Sequence, residues 1–234
     1  AMKALITENN VFYLEQVEVP AQTVEPEVTH HIFVGDRSGS MWGDVEGYKS
    51  TIKQVLAVED AVNPNVETSL ISFSSHEDVK LHWSQVPVSE VNDLSKPYMK
   101  EVDSIRATFL TGISQGLYLA LEQVKEGQTT GITLFTDGYA NDPSSYAENK
   151  ALDAFVQKVQ DEYPNVFVNC IGYRDWCDWP RMGSIANTLS GKCIKARSFK
   201  DVLGAMKDTQ DLLAGNVIPA IKVEGQEGTS VLVV

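Results

Sequence analysis

From Thr29 to Ala214 short apolar runs alternate with longer segments of helical periodicity, and no other property of the chain limits its fold more. Residues 30–35 carry Ile32, Phe33 and Val34 in succession, apolar on both faces, as a strand covered on two sides requires. Similar runs predict strands over 68–74 (TSLISFS), 79–83, 131–136 (GITLFT), 165–172 (NVFVNCIG) and 192–196. Val45, Tyr48, Ile52, Val55 and Leu56 recur at helical spacing and predict a helix over 44–58. Ile113, Leu117, Ala120, Leu121 and Val124 do the same over 112–125. Further helices are expected over 89–105, weakened at Pro97, over 145–163 with Ser144 as its cap, over 180–189 with proline in the first turn, and from a capping Ser198 to about Leu213. Strands alternating with helices imply an α/β architecture in three layers, a mainly parallel sheet covered on both faces. Only Ser75–Asp78 separate the runs at 68–74 and 79–83, too few for a crossover, so that pair is expected to be antiparallel.

The flanks read differently. Residues 1–27 hold short apolar runs about a turn candidate, Glu8-Asn9-Asn10, and residues 216–234 do so about GQEG at 225–228. Val217, Ile221 and Val223 fall on one face of a strand, and the chain stops in VLVV, which as an open strand edge is an aggregation hazard. Two terminal hairpins pairing into a small sheet beside a main domain of 28–215 are therefore expected, with mobile arms as the alternative. Ala1 ahead of Met2 reads as a cloning remnant, and the chain reads as part of a larger protein or complex.

A formal net charge of −13 argues against nucleic acid or an anionic membrane surface as partner, since both call for a basic face. No run reaches the roughly 18 apolar residues of a membrane span, and no signal peptide is visible. Of three cysteines, Cys170 and Cys193 lie in strand-like runs and read as core thiols, while Cys177 reads as a loop residue. Without a CxxC pair zinc is not indicated, and reduced thiols in a cytoplasmic setting are expected.

The first strand ends in GDRSGSMWG, which places a carboxylate and two hydroxyls, Asp36, Ser38 and Ser40, on alternating positions. Asp/Ser/Gly clusters commonly form turns and caps. Two other segments add to this one. In FLTGISQGLYLAL, Thr111 precedes the helix that Gly112 opens, where an N-cap is the plain reading. In ITLFTDGYAND, a second buried strand ends in a carboxylate, Asp137, followed by glycine.

With these residues the sequence resembles the von Willebrand factor A domain, the inserted domain of integrins. That family carries a metal-ion-dependent adhesion site (MIDAS) with the pattern DxSxS, then a threonine, then an aspartate usually followed by glycine. Asp36, Ser38 and Ser40 match in DRSGSM. Thr111 matches five residues before Gly116-Leu117, where the family commonly has a small residue and leucine, and Asp137 matches in FTDG. Thr108 is a rival for the threonine role with poorer spacing. The run NCIGYRDWCDWPRMGSIANTLSGKCIKARSFKDVLGAM resembles the family's last strand-helix-strand-helix segment, and the likeness spans about residues 29–214.

The resemblance implies a six-stranded sheet of order 3-2-1-4-5-6, with the 79–83 strand as the antiparallel edge member or its neighbour. It implies Mg²⁺ at Asp36, Ser38, Ser40, Thr111 and Asp137, with Mn²⁺ or Ca²⁺ as substitutes. In the family's ligand-ready state the carboxylates tend to act through water, so the ion keeps an open position that an Asp or Glu of a protein partner fills. Oxygen donors on short stems suit this hard cation, and Gly39 would relieve crowding in the loop. Met41, Trp42, Tyr139 and Tyr146 are candidates for the rim, where aromatic residues anchor partners.

No Gly-x-Ser-x-Gly elbow or phosphate-binding Gly-Lys loop occurs, and an enzyme is not expected. His30, His31, His76 and His82 read as surface or strand-edge residues. The alternative is an Mg²⁺-dependent hydrolase or phosphotransferase using the same carboxylates. A third reading has the site filled from within, by a glutamate of a flanking segment or of a further domain.

Overall fold

The computed structural model describes the strands at 3–7 and 10–14, residues 28–198 apart from Trp176, and Asp201 and Gly204. Strands β1 (Lys3–Thr7) and β2 (Asn10–Leu14) form an antiparallel hairpin, with Lys3 opposite Leu14 and Thr7 opposite Asn10. The expected pairing of this hairpin with residues 217–234 lies outside the described residues.

The main domain runs β3 (His30–Asp36), α1 (Val45–Val62), β4 (Glu67–Phe73), β5 (Val79–Pro87), α2 (Val88–Val91), α3 (Tyr98–Asp103), α4 (Ile113–Glu122), β6 (Thr130–Thr136), α5 (Ser145–Glu162), β7 (Val166–Tyr173), α6 (Trp179–Thr188) and β8 (Cys193–Ala196). The sheet order is β5-β4-β3-β6-β7-β8, which is 3-2-1-4-5-6 counted within the domain. Only the edge pair β4–β5 is antiparallel; the other four pairings are parallel. The strand order reverses between β4 and β6 across β3, so the crevice of a doubly wound sheet opens beyond the carboxyl end of β3.

Alternation along the strands divides the interior in two. Ile32 and Val34 of β3, with Ile71, Phe73, Ile132, Leu134, Val168 and Cys170, face α4, α5 and α6. Phe33, Leu70, Phe135 and Ile171 face the other way, onto Tyr48, Ile52, Val55 and Leu56 of α1. Both cores are needed because a sheet apolar on two faces must be covered on two faces. Gly116 sets the height of α4: a Cβ there would stand 2.8 Å from Phe73 Cδ1 and 3.0 Å from Val34 Cγ1. A bare backbone at this position lets the helix, and the loop before it, settle onto the sheet.

Several expectations are corrected. The single helix over 89–105 is two short ones, α2 and α3. Between them Asp93 accepts the Ser95 amide at 2.9 Å in a local turn, and Pro97 takes the N-cap of α3, where its missing N–H costs nothing. His30 and His31 are not at the surface: β3 is the centre of the sheet and both are fully buried. His31 bridges Glu59 Oε1 (2.7 Å) and Thr133 Oγ1 (2.8 Å), while His30 Nε2 lies 2.7 Å from Ser69 Oγ. Burial, and then neighbouring His31, hold His30 down to about 4.

All three cysteines are free. Cys170 is buried and Cys193 half-buried; Cys177 lies in the loop after β7, yet it turns inward and is buried. Ser144 caps α5 by accepting the Ala147 amide at 3.1 Å. Ser198 Oγ accepts the Asp201 amide at 3.4 Å and Asp201 is helical; the rest of the helix expected to reach Leu213 lies outside the described residues. Among the described residues no helix is long and apolar enough to cross a membrane.

Candidate metal centre

Parallel register decides which strand ends meet. Gly35 of β3 pairs with Phe135 of β6, so Asp36 and Thr136 finish side by side and Asp137 follows directly. Thr136 Oγ1 donates to Asp36 Oδ2 at 2.7 Å. The other oxygen, Oδ1, accepts the Ser38 amide at 2.7 Å, which curls the loop back over the strand end. Ser38 Oγ stands 3.1 Å from Ser40 Oγ, and Ser40 Oγ donates to Asp137 Oδ1 at 2.7 Å. Four of the five expected ligands, Asp36, Ser38, Ser40 and Asp137, thus form one hydrogen-bonded chain. Asp36, Ser38 and Asp137 are buried at its floor, while Ser40 is exposed at its mouth.

Thr111 joins through its backbone. Its N–H donates to Asn141 Oδ1 at 3.0 Å, and its carbonyl accepts the Asn141 amide at 2.8 Å, so the threonine loop is tied to the loop after Asp137. Thr111 does not cap α4. Gly112 holds the N-cap position, and the first-turn Ser114 N–H donates to Glu148 Oε2 of α5 at 3.0 Å. The Thr111 hydroxyl, in a residue almost fully buried, makes no hydrogen bond with the other four groups. Thr108, the rival, is engaged elsewhere: it accepts from Arg37 Nη1 at 2.8 Å and bonds Ser74 Oγ and Asp78 Oδ2.

The electrostatics of the floor are unbalanced. Burial, opposed by the hydrogen bonds from Thr136 and Ser38, raises the Asp36 carboxyl. Burial and then the charge of Asp36 push Asp137 up to about 6. Asp137 Oδ2 is buried with no hydrogen-bond partner. Arg37, next in sequence to Asp36, turns away and donates to Asp78, to Thr108 and to Ser72 Oγ at 3.1 Å. That pairing holds Asp78 down to about 2. Among the described residues no cationic side chain forms an ion pair with Asp36 or Asp137. Two buried carboxylates without a counter-charge, one with an orphaned oxygen, fit a small cation in place of a missing lysine or arginine. The described residues hold no cluster of three His, Cys, Asp or Glu; the donors here are two carboxylates and three hydroxyls, an oxygen-only set that suits a hard divalent ion.

The rim differs from expectation at one residue. Met41 is fully buried against Val45 and Tyr48 and does not line the site. The 3-10 turn Gly39–Met41, closed by Met41 N–H donating to the Ser38 carbonyl at 2.9 Å, points residue 41 inward and residue 42 outward. Trp42, Tyr139 and Tyr146 are exposed.

Three contributors escape sequence reading. Thr136 orients Asp36, and its only signal is that it stands before Asp137 at a strand end. Asn141 clamps Thr111, and Phe109 of the apolar pair Phe109-Leu110 abuts the serine loop. Gly39 N–H donates to the Phe109 carbonyl at 3.1 Å, and a Cβ on Gly39 would lie 2.9 Å from that oxygen, so only glycine permits the approach.

A mainly parallel α/β sheet with this strand order and these three loops at its carboxyl edge is the architecture of a von Willebrand factor A domain. Solved structures bear out that fold. A von Willebrand factor type A protein from Catenulispora acidiphila aligns with 80% of this chain at a TM-score of 0.60 and 15% identity. Proximal thread matrix protein 1 from the mussel byssus, with a zinc-occupied MIDAS motif, aligns with 82% at 0.61 and 18% identity. The pilus adhesin SpaC from Lactobacillus rhamnosus GG aligns with 92% at 0.64 and 15% identity. The matched part is 42%, 47% and 34% of those chains respectively, so this chain spans less than half the length of each. No protein-family model matches the sequence, and no curated protein does.

Proposed function

We propose that the chain is a divalent-cation-dependent protein-binding module of the adhesion or scaffold kind, without catalytic activity. Asp36, Ser38, Ser40, Thr111 and Asp137 would hold the ion, with Mg²⁺ as the resident metal and Mn²⁺ or Ca²⁺ as substitutes. The observation that carries this reading is the orphaned Asp137 Oδ2 at the floor of an oxygen-lined crevice where, among the described residues, no cationic side chain pairs with Asp36 or Asp137. The bound ion supplies concentrated positive charge, and a carboxylate from a partner Asp or Glu is the ligand such a charge takes. Thr136 and the Ser38 amide keep Asp36 oriented, and the Arg37–Asp78 pair keeps the neighbouring guanidinium off the floor. The names of the structural neighbours, an adhesin and a matrix protein, support a binding role.

The test is calorimetric titration of Mg²⁺ into the wild type and the Asp36→Ala variant, with circular dichroism as the control for fold. Wild type is expected to bind one ion and the variant none. Capture of a partner that is unchanged in excess chelator overturns the reading. Turnover of phosphate or ester substrates that vanishes in Ser38→Ala transfers the site to an Mg²⁺-dependent hydrolase or phosphotransferase.

A further inference from the structure

The seam between α4 and α5 is apolar except at one end. Of the residues that α5 buries, Leu152, Phe155 and Val159 are hydrocarbon, and Glu148 in its first turn is not. The three apolar ones share one core with Leu117, Ala120 and Leu121 of α4. Tyr118 crosses the same seam, its ring edge-on to Phe155 at 5.7 Å and its hydroxyl donating to the Ala151 carbonyl at 3.3 Å. Glu148 is 1% exposed, and a carboxylate buried among such neighbours is costly to desolvate. Among the described residues no cationic side chain forms an ion pair with it. Both of its oxygens go instead to a single residue: Ser114 N–H donates to Oε2 at 3.0 Å, and Ser114 Oγ donates to Oε1. Packing alone asks for no charge here, since a leucine would continue the row that Leu152 and Phe155 begin.

Ser114 lies in the first turn of α4, whose N-cap, Gly112, has no side chain to offer the free amides. Glu148 supplies from the neighbouring helix the cap that α4 lacks in its own sequence, and its negative charge meets the positive end of the helix dipole. Thr111 stands three residues before Ser114. Its hydroxyl has no hydrogen bond to Asp36, Ser38, Ser40 or Asp137, so the backbone alone sets its place. That backbone is gripped at both ends. Asn141 brackets Thr111, accepting its N–H at 3.0 Å and donating an amide to its carbonyl at 2.8 Å. Gly112 N–H donates to the Ser74 carbonyl at 2.6 Å, and Glu148 holds Ser114. Without the last grip the first turn of α4 is free to fray, and Thr111 moves with it.

Building on the cation-dependent reading above, we propose that Glu148 is a positioning residue of the metal centre: by capping α4 from α5 it holds Thr111 where the threonine hydroxyl is a ligand of the ion. Its own oxygens are engaged by Ser114, so it acts through Thr111 and not on the ion directly.

The test is a double-mutant cycle in the full chain, read as Mn²⁺ affinity from the electron paramagnetic resonance signal of the free ion. Wild type, Thr111→Ala, Glu148→Ala and the double variant are compared, with circular dichroism as the control for fold. Glu148→Ala is expected to weaken Mn²⁺ about 10- to 100-fold while Thr111 is present. Once Thr111→Ala has removed the hydroxyl through which it acts, the same substitution is expected to cost less than about twofold. Tyr118→Phe, which loosens the seam away from its end, is expected to leave the affinity unchanged. Glu148→Gln keeps an oxygen for the Ser114 amide and should recover part of the loss; it replaces Glu148→Ala in the cycle if the alanine variant does not fold. An equal loss in both backgrounds shows that Glu148 acts through the fold at large or through its charge, and overturns the inference. Wild-type affinity in the Glu148 variant, or a loss in Tyr118→Phe as large as that in the Glu148 variant, overturns it too, and each of these leaves the cation reading standing. A wild type that binds neither Mn²⁺ nor Mg²⁺ overturns both.

Discussion

Replacing Asp137 by asparagine should stabilise the metal-free protein while abolishing its stabilisation by Mg²⁺. The Asp137 carboxyl stands at about 6 in the fold, against 3.8 for the free group, through burial first and Asp36 second. A raised acid pKa means that the folded state binds the proton more tightly. Stability is therefore lost as pH rises from the unfolded value through the folded one, and stays lost above it. A shift of about two units corresponds to about 3 kcal/mol at pH 8. Part of that is offset in the variant, because the new amide N–H₂ stands where Oδ2 finds no partner. A net gain of about 1–2 kcal/mol is expected for Asp137→Asn in chelator at pH 8, falling by about 2–3 kcal/mol, to zero or below, by pH 4. Mg²⁺ at about 100 times its dissociation constant should add about 2.7 kcal/mol to the wild type, and little to the variant. Urea denaturation at both pH values, with Mg²⁺ and with chelator, measures all of this. A variant less stable than wild type in chelator at pH 8, or equal gains from Mg²⁺ in both proteins, would refute the electrostatic argument.

Thr136→Val removes the hydroxyl that donates to Asp36 at 2.7 Å while keeping the strand's shape. Loss of such a supporting hydrogen bond should weaken Mg²⁺ about 10- to 100-fold by calorimetry, and unchanged affinity would show that Thr136 plays no part in orienting the carboxylate. Acid stability tests the buried histidines. His30 is held down to about 4, so its contribution is complete above 6.5 and is lost as pH falls towards 4, amounting to about 2 kcal/mol at pH 5. His30→Gln should flatten the urea stability profile between pH 7.5 and 5 by about that amount, and a profile as steep as wild type would place the acid sensitivity elsewhere.

Local patterns made much of the domain legible in advance. Strand and helix runs alternate because each residue's neighbours in sequence decide whether it can bury one face or two. The antiparallel β4–β5 pair followed from a connection too short to cross the sheet. Where a local cue was weak, the reading strayed, as at Pro97, which starts a helix instead of merely weakening one. His30 and His31 strayed for a different reason: a polar residue at the start of a run looks like an edge until the strand proves to be the centre of the sheet.

Asp36, Ser38, Ser40, Thr111 and Asp137 can be named as a set from the sequence through their match to a family pattern, each standing where an apolar run or a helix is interrupted by a small polar loop. What those residues are to one another is a tertiary fact. Thr136 reaches Asp36 across 100 positions only through parallel register, and Arg37, the cation next in sequence to Asp36, is drawn to Asp78 while an Asp137 oxygen stays without a partner. Met41 turns into the core and Phe109 out of it because of one 3-10 turn and a few backbone hydrogen bonds. Periodicity records which face of an element is wet or dry; the register of strands distant in sequence decides which polar groups meet, and so where unbalanced charge collects.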